Sequence, residues 1–227
     1  MNFDKFTQNY KQIHNENIKI SGESSDYFYE YKARVLSHLF SKYQLSKKIK
    51  LLDLGCGTGN VERYLYNYYP EAQVYGIDPS SESIRVASST DKKTVYSVYD
   101  GRNILFENNY FDVVLLACVL HHILPAVRKY ILDEVYRVLE KDGYLFIFEH
   151  NPLNPFTRRA VKTCLFDTDA HLLGRKECIN ISKKSKFSII ETKYIVFFPR
   201  ILNFLRRFEN KMGLCPFGAQ YFVAGRK

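Results

Sequence analysis

A glycine-rich turn, two downstream acids and three histidines are the parts of this sequence that could do chemistry. The turn is Leu51-Leu52-Asp53-Leu54-Gly55-Cys56-Gly57-Thr58-Gly59-Asn60, an apolar run that passes into three alternating glycines. Glycines permit positive φ and let a backbone approach a ligand with no Cβ between them. A helix opening at this point presents N–H groups that have no intrahelical partner. Asp78, in Val74-Tyr75-Gly76-Ile77-Asp78-Pro79, lies about 20 residues beyond the turn, where a carboxylate accepts both hydroxyls of a ribose. Capping the next helix is its structural alternative. Asp100 follows a third run and is placed either to pair with an adenine amino group or to close an ordinary turn. The spacing is G-x-G-x-G, with Asn60 where a dinucleotide fingerprint has its third glycine. A phosphate clamp of the G-x-x-x-x-G-K-[ST] type is absent.

The histidines lie at a different set of run ends. His121 and His122 follow the apolar run Asp-Val-Val-Leu-Leu-Ala at 112–117, and His150 ends the run at 143–149. Imidazole titrates near neutrality, so each is a candidate base; loop packing is the alternative for all three. Arg158 and Arg159 follow an Asn-Pro-Leu-Asn-Pro break at 151–155. A guanidinium fork grips carboxylate or phosphate, although solvated arginines on a helix read the same way. Asp167, Asp169 and His171 fit no metal-ligand spacing, so no metal site is expected, and a helix cap is the preferred reading of the acids.

These groups need elements to position them. Apolar strand-like runs at 50–54, 73–77, 94–98, 112–117 and 143–149 alternate with helical patterns at 59–69, 82–87 and 125–140. Alternation of this kind implies βαβ crossovers, and runs as continuously apolar as 113–117 fit a sheet covered on both faces. The fold class expected is therefore α/β: a doubly wound, Rossmann-like, mostly parallel sheet. Residues 1–48, with apolar i+4 spacing over 26–43, read as an N-terminal helical cap on a domain at 49–227. A helical insertion is expected at 151–186, then a strand at 187–198 and an antiparallel C-terminal strand at 220–224. The segment 200–212 carries Ile201, Phe204, Leu205, Phe208 and Met212 on one α-helical face. A crossover helix buried on the sheet is the preferred reading, ahead of a roof over a ligand pocket or a helix lying on an anionic membrane.

Taken together, DLGCGTGN, GIDPS, Asp100, FDVVLLACVLHHI and EVYRVLEKDGYL resemble the class I S-adenosylmethionine-dependent methyltransferases over residues 50–150. The C-terminal part is similar to small-molecule members, less distinctively. Lys141-Asp142-Gly143 stands where many relatives have Lys-Pro-Gly-Gly, which alters a turn and not the cofactor site. The resemblance implies S-adenosylmethionine as cofactor. It implies that Gly55, Cys56, Gly57 and Gly59 line its methionine part, braced by Asp53. Asp78 and Pro79 would lie at the ribose, Asp100 and Gly101 at the adenine, and Ala117 and Cys118 at the sulfonium. It also implies that the helix bearing Tyr27, Phe28, Tyr31 and Lys32 caps an acceptor pocket, with helical packing as the alternative. Methyl transfer from a sulfonium is an in-line displacement that needs chiefly alignment. A base is needed only where the acceptor must lose a proton.

Composition bounds the partners. Apolar residues make up 46% of the chain and the formal net charge is +9. A basic balance favours anionic partners, but the lysines are dispersed, so the acceptor expected is a small molecule, with an anion within its range, and no nucleic acid. The base-flipping Asn/Asp-Pro-Pro-aromatic tetrad is missing. A nucleic-acid methyltransferase and a non-catalytic subunit of this fold stay open as alternatives. Five cysteines without a C-x-x-C pair fit a reduced, cytoplasmic setting. No leader segment and no membrane insertion are expected.

Overall fold

The computed structural model describes residues 10–227. Seven strands form one sheet in the order β3-β2-β1-β4-β5-β7-β6. The strands are β1 (Lys50–Leu54), β2 (Gln73–Asp78), β3 (Val95–Val98), β4 (Phe111–Ala117), β5 (Leu139–His150), β6 (Ser188–Ile195) and β7 (Gln220–Arg226). Strands β1 to β5 pair in parallel, and β7 runs antiparallel between β5 and β6. The expected doubly wound architecture is what forms, with an antiparallel C-terminal edge.

The chain reverses direction across the sheet between β1 and β4. Open α/β sheets bind ligands beyond the carboxyl ends of the strands at this switch point, and it brings the glycine turn beside the His121–His122 loop. The helices are α1 (Tyr10–Ile18), α2 (Ser25–Lys42), α3 (Asn60–Leu65), α4 (Ser81–Thr90), α5 (Pro125–Val138), α6 (Pro155–Thr163) and α7 (Arg175–Lys184). Side chains alternate across each strand, so adjacent residues feed separate cores. Leu51, Val113, Phe146 and Phe222 pack with Leu36, Leu39 and Phe40 of α2 on one face. Leu52, Val114, Ile147 and Val223 pack with Ile131, Leu132 and Val135 of α5 on the other. Helix α2 is thus a layer of the main core as well as a wall of the pocket.

Two sequence readings need correction. The helix expected at 59–69 is shorter, ending at Leu65 and followed by turns. The larger correction concerns residues 200–212. The segment Arg200–Lys211 is 3₁₀-wound, with a kink at Leu202, and does not pack into the core. Ile201 and Phe204 are 84% and 62% exposed, and of the whole segment only Glu209 is buried. The reason is the winding: 3₁₀ turns bring i and i+3 into line. That turns Arg206 and Glu209 inward and breaks the 3.6-residue stripe of apolar side chains. Glu209 accepts hydrogen bonds from the backbone N–H groups of Phe197 and Phe198 and from the Tyr31 hydroxyl. Arg206 donates to Glu23 and to the Phe198 carbonyl. The segment is held by polar side chains, and its aromatics face outward.

Candidate active site

The glycine turn is built for backbone approach. Gly57 takes φ +53°, and a Cβ there would meet no atom within 4 Å, so the space beside it is open. Gly59 takes φ +71°, and a Cβ there would collide with the Tyr96 hydroxyl. Asp78 pins the turn to β2: its Oδ2 accepts from Gly57 N at 2.9 Å and its Oδ1 from Ser80 N at 2.8 Å. It is not the cap of α4, because Ser80 accepts the Ser83 N–H there.

Behind the turn, Asp53 and Glu62 are fully buried. Asp53 Oδ1 and both Glu62 carboxyl oxygens have no hydrogen-bond partner among the described residues. Burial first, then the Asp78 charge, pushes Asp53 up to about 7. Burial first, then Asp53, pushes Glu62 well above the carboxylate range. Two acids confined in low dielectric do not both ionise readily. Glu62 carries no sequence signal beyond sitting three residues after the last glycine.

One cavity of about 550 Å³ runs from this turn to the histidines. Its wall at the glycine turn includes Asp53, Gly55, Cys56, Gly57, Asp78, Pro79 and Gly101, with Ala117 and Cys118 midway. Gly59 stands behind this wall rather than on it. Asp100 does not line the cavity: it accepts from the backbone N–H groups of Arg102 and Asn103 and from the Asn103 side chain, which holds its own loop and keeps its carboxyl below the usual range. Tyr99 and Ser83 line the wall nearby, without having drawn notice in the sequence.

At the far end, His121, His122 and His150 converge from the ends of β4 and β5. The His121 and His122 ring centroids are 4.0 Å apart, and those of His121 and His150 5.0 Å. Two acids join them. Glu149 Oε2 lies 2.7 Å from His121 Nδ1, and its Oε1 accepts the Leu120 N–H. Asp167 Oδ1 faces His121 Nε2 at 3.7 Å and His122 Nε2 at 3.5 Å. The helix-cap reading of Asp167 is therefore corrected: its carboxylate points at the histidines. Asp169 and His171 have exposed side chains, and the His171 backbone donates to the His121 carbonyl.

Electrostatics separates the three rings. Burial alone would lower His121, but Glu149 and Asp167 outweigh it and raise it to about 9. Burial, then the His121 charge, holds His122 at about 4 and His150 at about 3. At neutral pH the cluster has one protonated ring beside two neutral ones. Arg128, buried on α5, fastens the loop: it donates to the carbonyls of Leu120, Ile123 and His171 and pairs with Glu177. Nothing in the sequence distinguishes it from the surface arginines.

Helix α2 divides its aromatics between two sides. Phe28, Tyr29 and buried Lys32 line the cavity. Tyr27 and Tyr31 turn instead to the 3₁₀ segment, where Arg206 lies 4.4 Å above the Tyr27 ring and Tyr31 bonds Glu209. Arg158 and Arg159 are exposed on α6 and neither lines the cavity; Arg159 borders a smaller groove with Ile13 and Phe156.

A sheet of this order with a glycine turn at its switch point and an acid ending β2 defines the class I methyltransferase fold. Residues 52–147 match the methyltransferase-domain family. Among curated proteins, a demethylmenaquinone methyltransferase of Thermotoga maritima is 34% identical over 105 residues, 46% of this chain and 45% of that protein. A carboxy-S-adenosyl-L-methionine synthase of Campylobacter jejuni is 28% identical over 124 residues, 54% of this chain and 52% of that one. The chain thus spans about half the length of these curated relatives. A solved methyltransferase from Thermotoga maritima, described as a possible histamine N-methyltransferase, superposes with a TM-score of 0.69 at 18% identity, covering 99% of this chain and 98% of that one. That likeness is one of fold. No helix among the described residues is long and apolar enough to cross a membrane.

The site fits the cofactor this domain class uses. The open space at Gly57 accepts a ligand against the backbone, and Asp53 leaves a buried oxygen without a partner beneath it.

Proposed function

We propose that this protein transfers a methyl group from S-adenosylmethionine to a small-molecule acceptor. The observation that carries the reading is the continuity of one cavity from the glycine turn to the histidines. Its volume, about 550 Å³, lies in the range of pockets that enclose small ligands.

The bound cofactor supplies a methyl group on a positively charged sulfur. The residues supply position. The Gly55–Gly57 backbone and Asp78 fix the nucleoside and amino-acid portions, and Ala117 and Cys118 bound the passage toward the acceptor end. Phe28, Tyr29 and Phe156 give that end apolar walls that exclude water, and holding two reactants in line recovers about 7–11 kcal/mol of barrier. His150, neutral at pH 7, accepts a proton from an acceptor hydroxyl or orients it. Lys32, which has no carboxylate within salt-bridge distance among the described residues, is the cation available to an anionic acceptor. It takes the part that the sequence assigned to Arg158 and Arg159.

The test is turnover on a panel of hydroxylated, amino and carboxylated metabolites and demethylated quinones, read as S-adenosylhomocysteine formed. Calorimetry with S-adenosylhomocysteine and with NAD runs beside it. Heat with NAD alone would overturn the reading.

A further inference from the structure

We propose that His121, His122 and Asp167 form a site for a divalent first-row transition-metal ion, with one coordination position open to the cavity. The three side chains reach one point from two separated segments: a 3₁₀ turn at Leu120–His122 and another at Leu165–Asp167. One ligand atom from each lies within 4.8 Å of the other two.

The separations choose between a hydrogen-bonded cluster and a metal cage. Asp167 Oδ1 stands 3.7 Å from His121 Nε2 and 3.5 Å from His122 Nε2. Hydrogen bonds between nitrogen and oxygen fall at about 2.7–3.2 Å, so both contacts are long for that purpose. Donors around a four-coordinate ion, with bonds of about 2.0–2.2 Å, stand roughly 3.3–3.5 Å apart. The two Asp167 separations lie close to that spacing, and the two imidazole ligand atoms lie within 4.8 Å of each other.

The surroundings are those of a built site. The Glu149 carboxylate engages His121 Nδ1 at 2.7 Å, which fixes the ring with Nε2 toward Asp167; metal-bound histidines carry their second nitrogen on a carboxylate in this way, and the entering ion releases to solvent the proton that His121 holds without it. Glu149 is itself fully buried and tied to the Leu120 N–H. Arg128 clamps the carbonyls of Leu120, Ile123 and His171, so the loop keeps its shape without an ion. All three border the cavity, with His121 and Asp167 nearly closed off from solvent and His122 partly exposed. Two imidazoles and one carboxylate favour zinc, cobalt or iron(II) over magnesium or calcium. Three protein ligands leave a position for an oxygen donor, the pattern of catalytic rather than structural sites. That the donor is the acceptor's own hydroxyl rests on the methyltransferase reading; the site itself does not.

The test uses the full chain, stripped with a chelator and titrated with cobalt(II) alone. The expected result is one ion per chain, with the visible absorption of a four- or five-coordinate nitrogen–oxygen site, displaced by zinc. His122→Ala and Asp167→Asn should each weaken cobalt binding at least tenfold while the melting temperature of the stripped protein holds. Glu149→Gln should weaken it about 10–100-fold. No cobalt spectrum in the wild type, wild-type affinity in both ligand variants, or a thiolate charge-transfer band would each overturn the proposal. S-adenosylhomocysteine binding to the same stripped protein separates the two readings: cofactor heat without a metal spectrum rejects the metal site and leaves the methyltransferase reading standing.

Discussion

The two ends of the cavity, which the proposed function assigns to cofactor and acceptor, are made by different means. The cofactor end is made of backbone: positive-φ glycines, strand ends and one aspartate that holds the turn. The acceptor end is made of side chains, in which His121, His122, His150, Glu149 and Asp167 meet from strand ends and a remote turn, and Arg128 fastens them from α5. A backbone site tolerates little change in chain geometry but needs few particular side chains. A side-chain site needs several charges buried together, and each must be balanced by another.

That contrast is tested most severely at Arg128. Arg128→Met should leave the Ile123 and His171 carbonyls without their side-chain donor and the Leu120 carbonyl with only the Ile123 N–H, and each unsatisfied buried group costs about 1–3 kcal/mol. A loss of roughly 10 °C in melting temperature is expected, at about 2–4 °C per kcal/mol for a chain of this size. A loss of only a degree or two would show that the acceptor end does not depend on its charged clamp.

The cofactor end should respond in affinity. Asp78→Ala removes an acceptor of charge-assisted hydrogen bonds, each worth about 1.5–3 kcal/mol. S-adenosylhomocysteine should bind at least tenfold more weakly, by calorimetry, with the fold retained. Unchanged affinity would reduce Asp78 to a brace for Gly57.

A smaller effect separates the two ends by pH. Asp53 and Glu62 keep protons in the folded protein at pH values where the unfolded chain has lost them. The folded state then binds more protons than the unfolded state, so this pair removes stability as pH rises from the ordinary carboxylate range toward 7 and above. Glu62→Gln does not titrate. Its melting temperature should therefore gain on the wild type by a few degrees as pH is raised from about 5 to about 8, monitored without ligand. A constant difference across that range would mean the pair is not protonated in the folded state.

The geometry of the glycine turn was largely legible in the sequence, because its information is local. Gly55, Gly57 and Asp78 sit at fixed offsets within one βαβ unit, and the strand periods between them locate the sheet. The acceptor end was legible only in part. The histidines were visible as strand-end residues, but Asp167 lies 45 residues beyond His122, and no periodic pattern connects them. Arg128 and Glu149 look like ordinary members of an amphipathic helix and a strand. The same holds for helix α2. Its i+4 aromatics announced a helix, yet which of them face the cavity depends on where the 3₁₀ segment packs. Asp100 shows the reverse case, a residue with the right offset whose carboxylate is spent on its own loop.

The smallest expected effect lies where the sequence pattern misled most. An α-helical reading of residues 200–212 puts Phe204 in the core, where truncation costs about 3–5 kcal/mol. The observed 3₁₀ winding leaves Phe204 62% exposed, and substitutions at such positions usually change stability by no more than about 0.5 kcal/mol. Phe204→Ala should therefore melt within about 2 °C of the wild type. The anchoring atoms lie instead on Glu209, which takes two backbone N–H groups and the Tyr31 hydroxyl. Glu209→Ala leaves those donors unpaired and should cost about 1–3 kcal/mol, several times the cost of Phe204→Ala. The ratio decides the matter better than either value. If truncating Phe204 costs more than truncating Glu209, the aromatic face is buried in solution and the segment winds as the sequence pattern reads. If Glu209 costs more, the polar side chains hold the segment, and its period is three residues rather than 3.6.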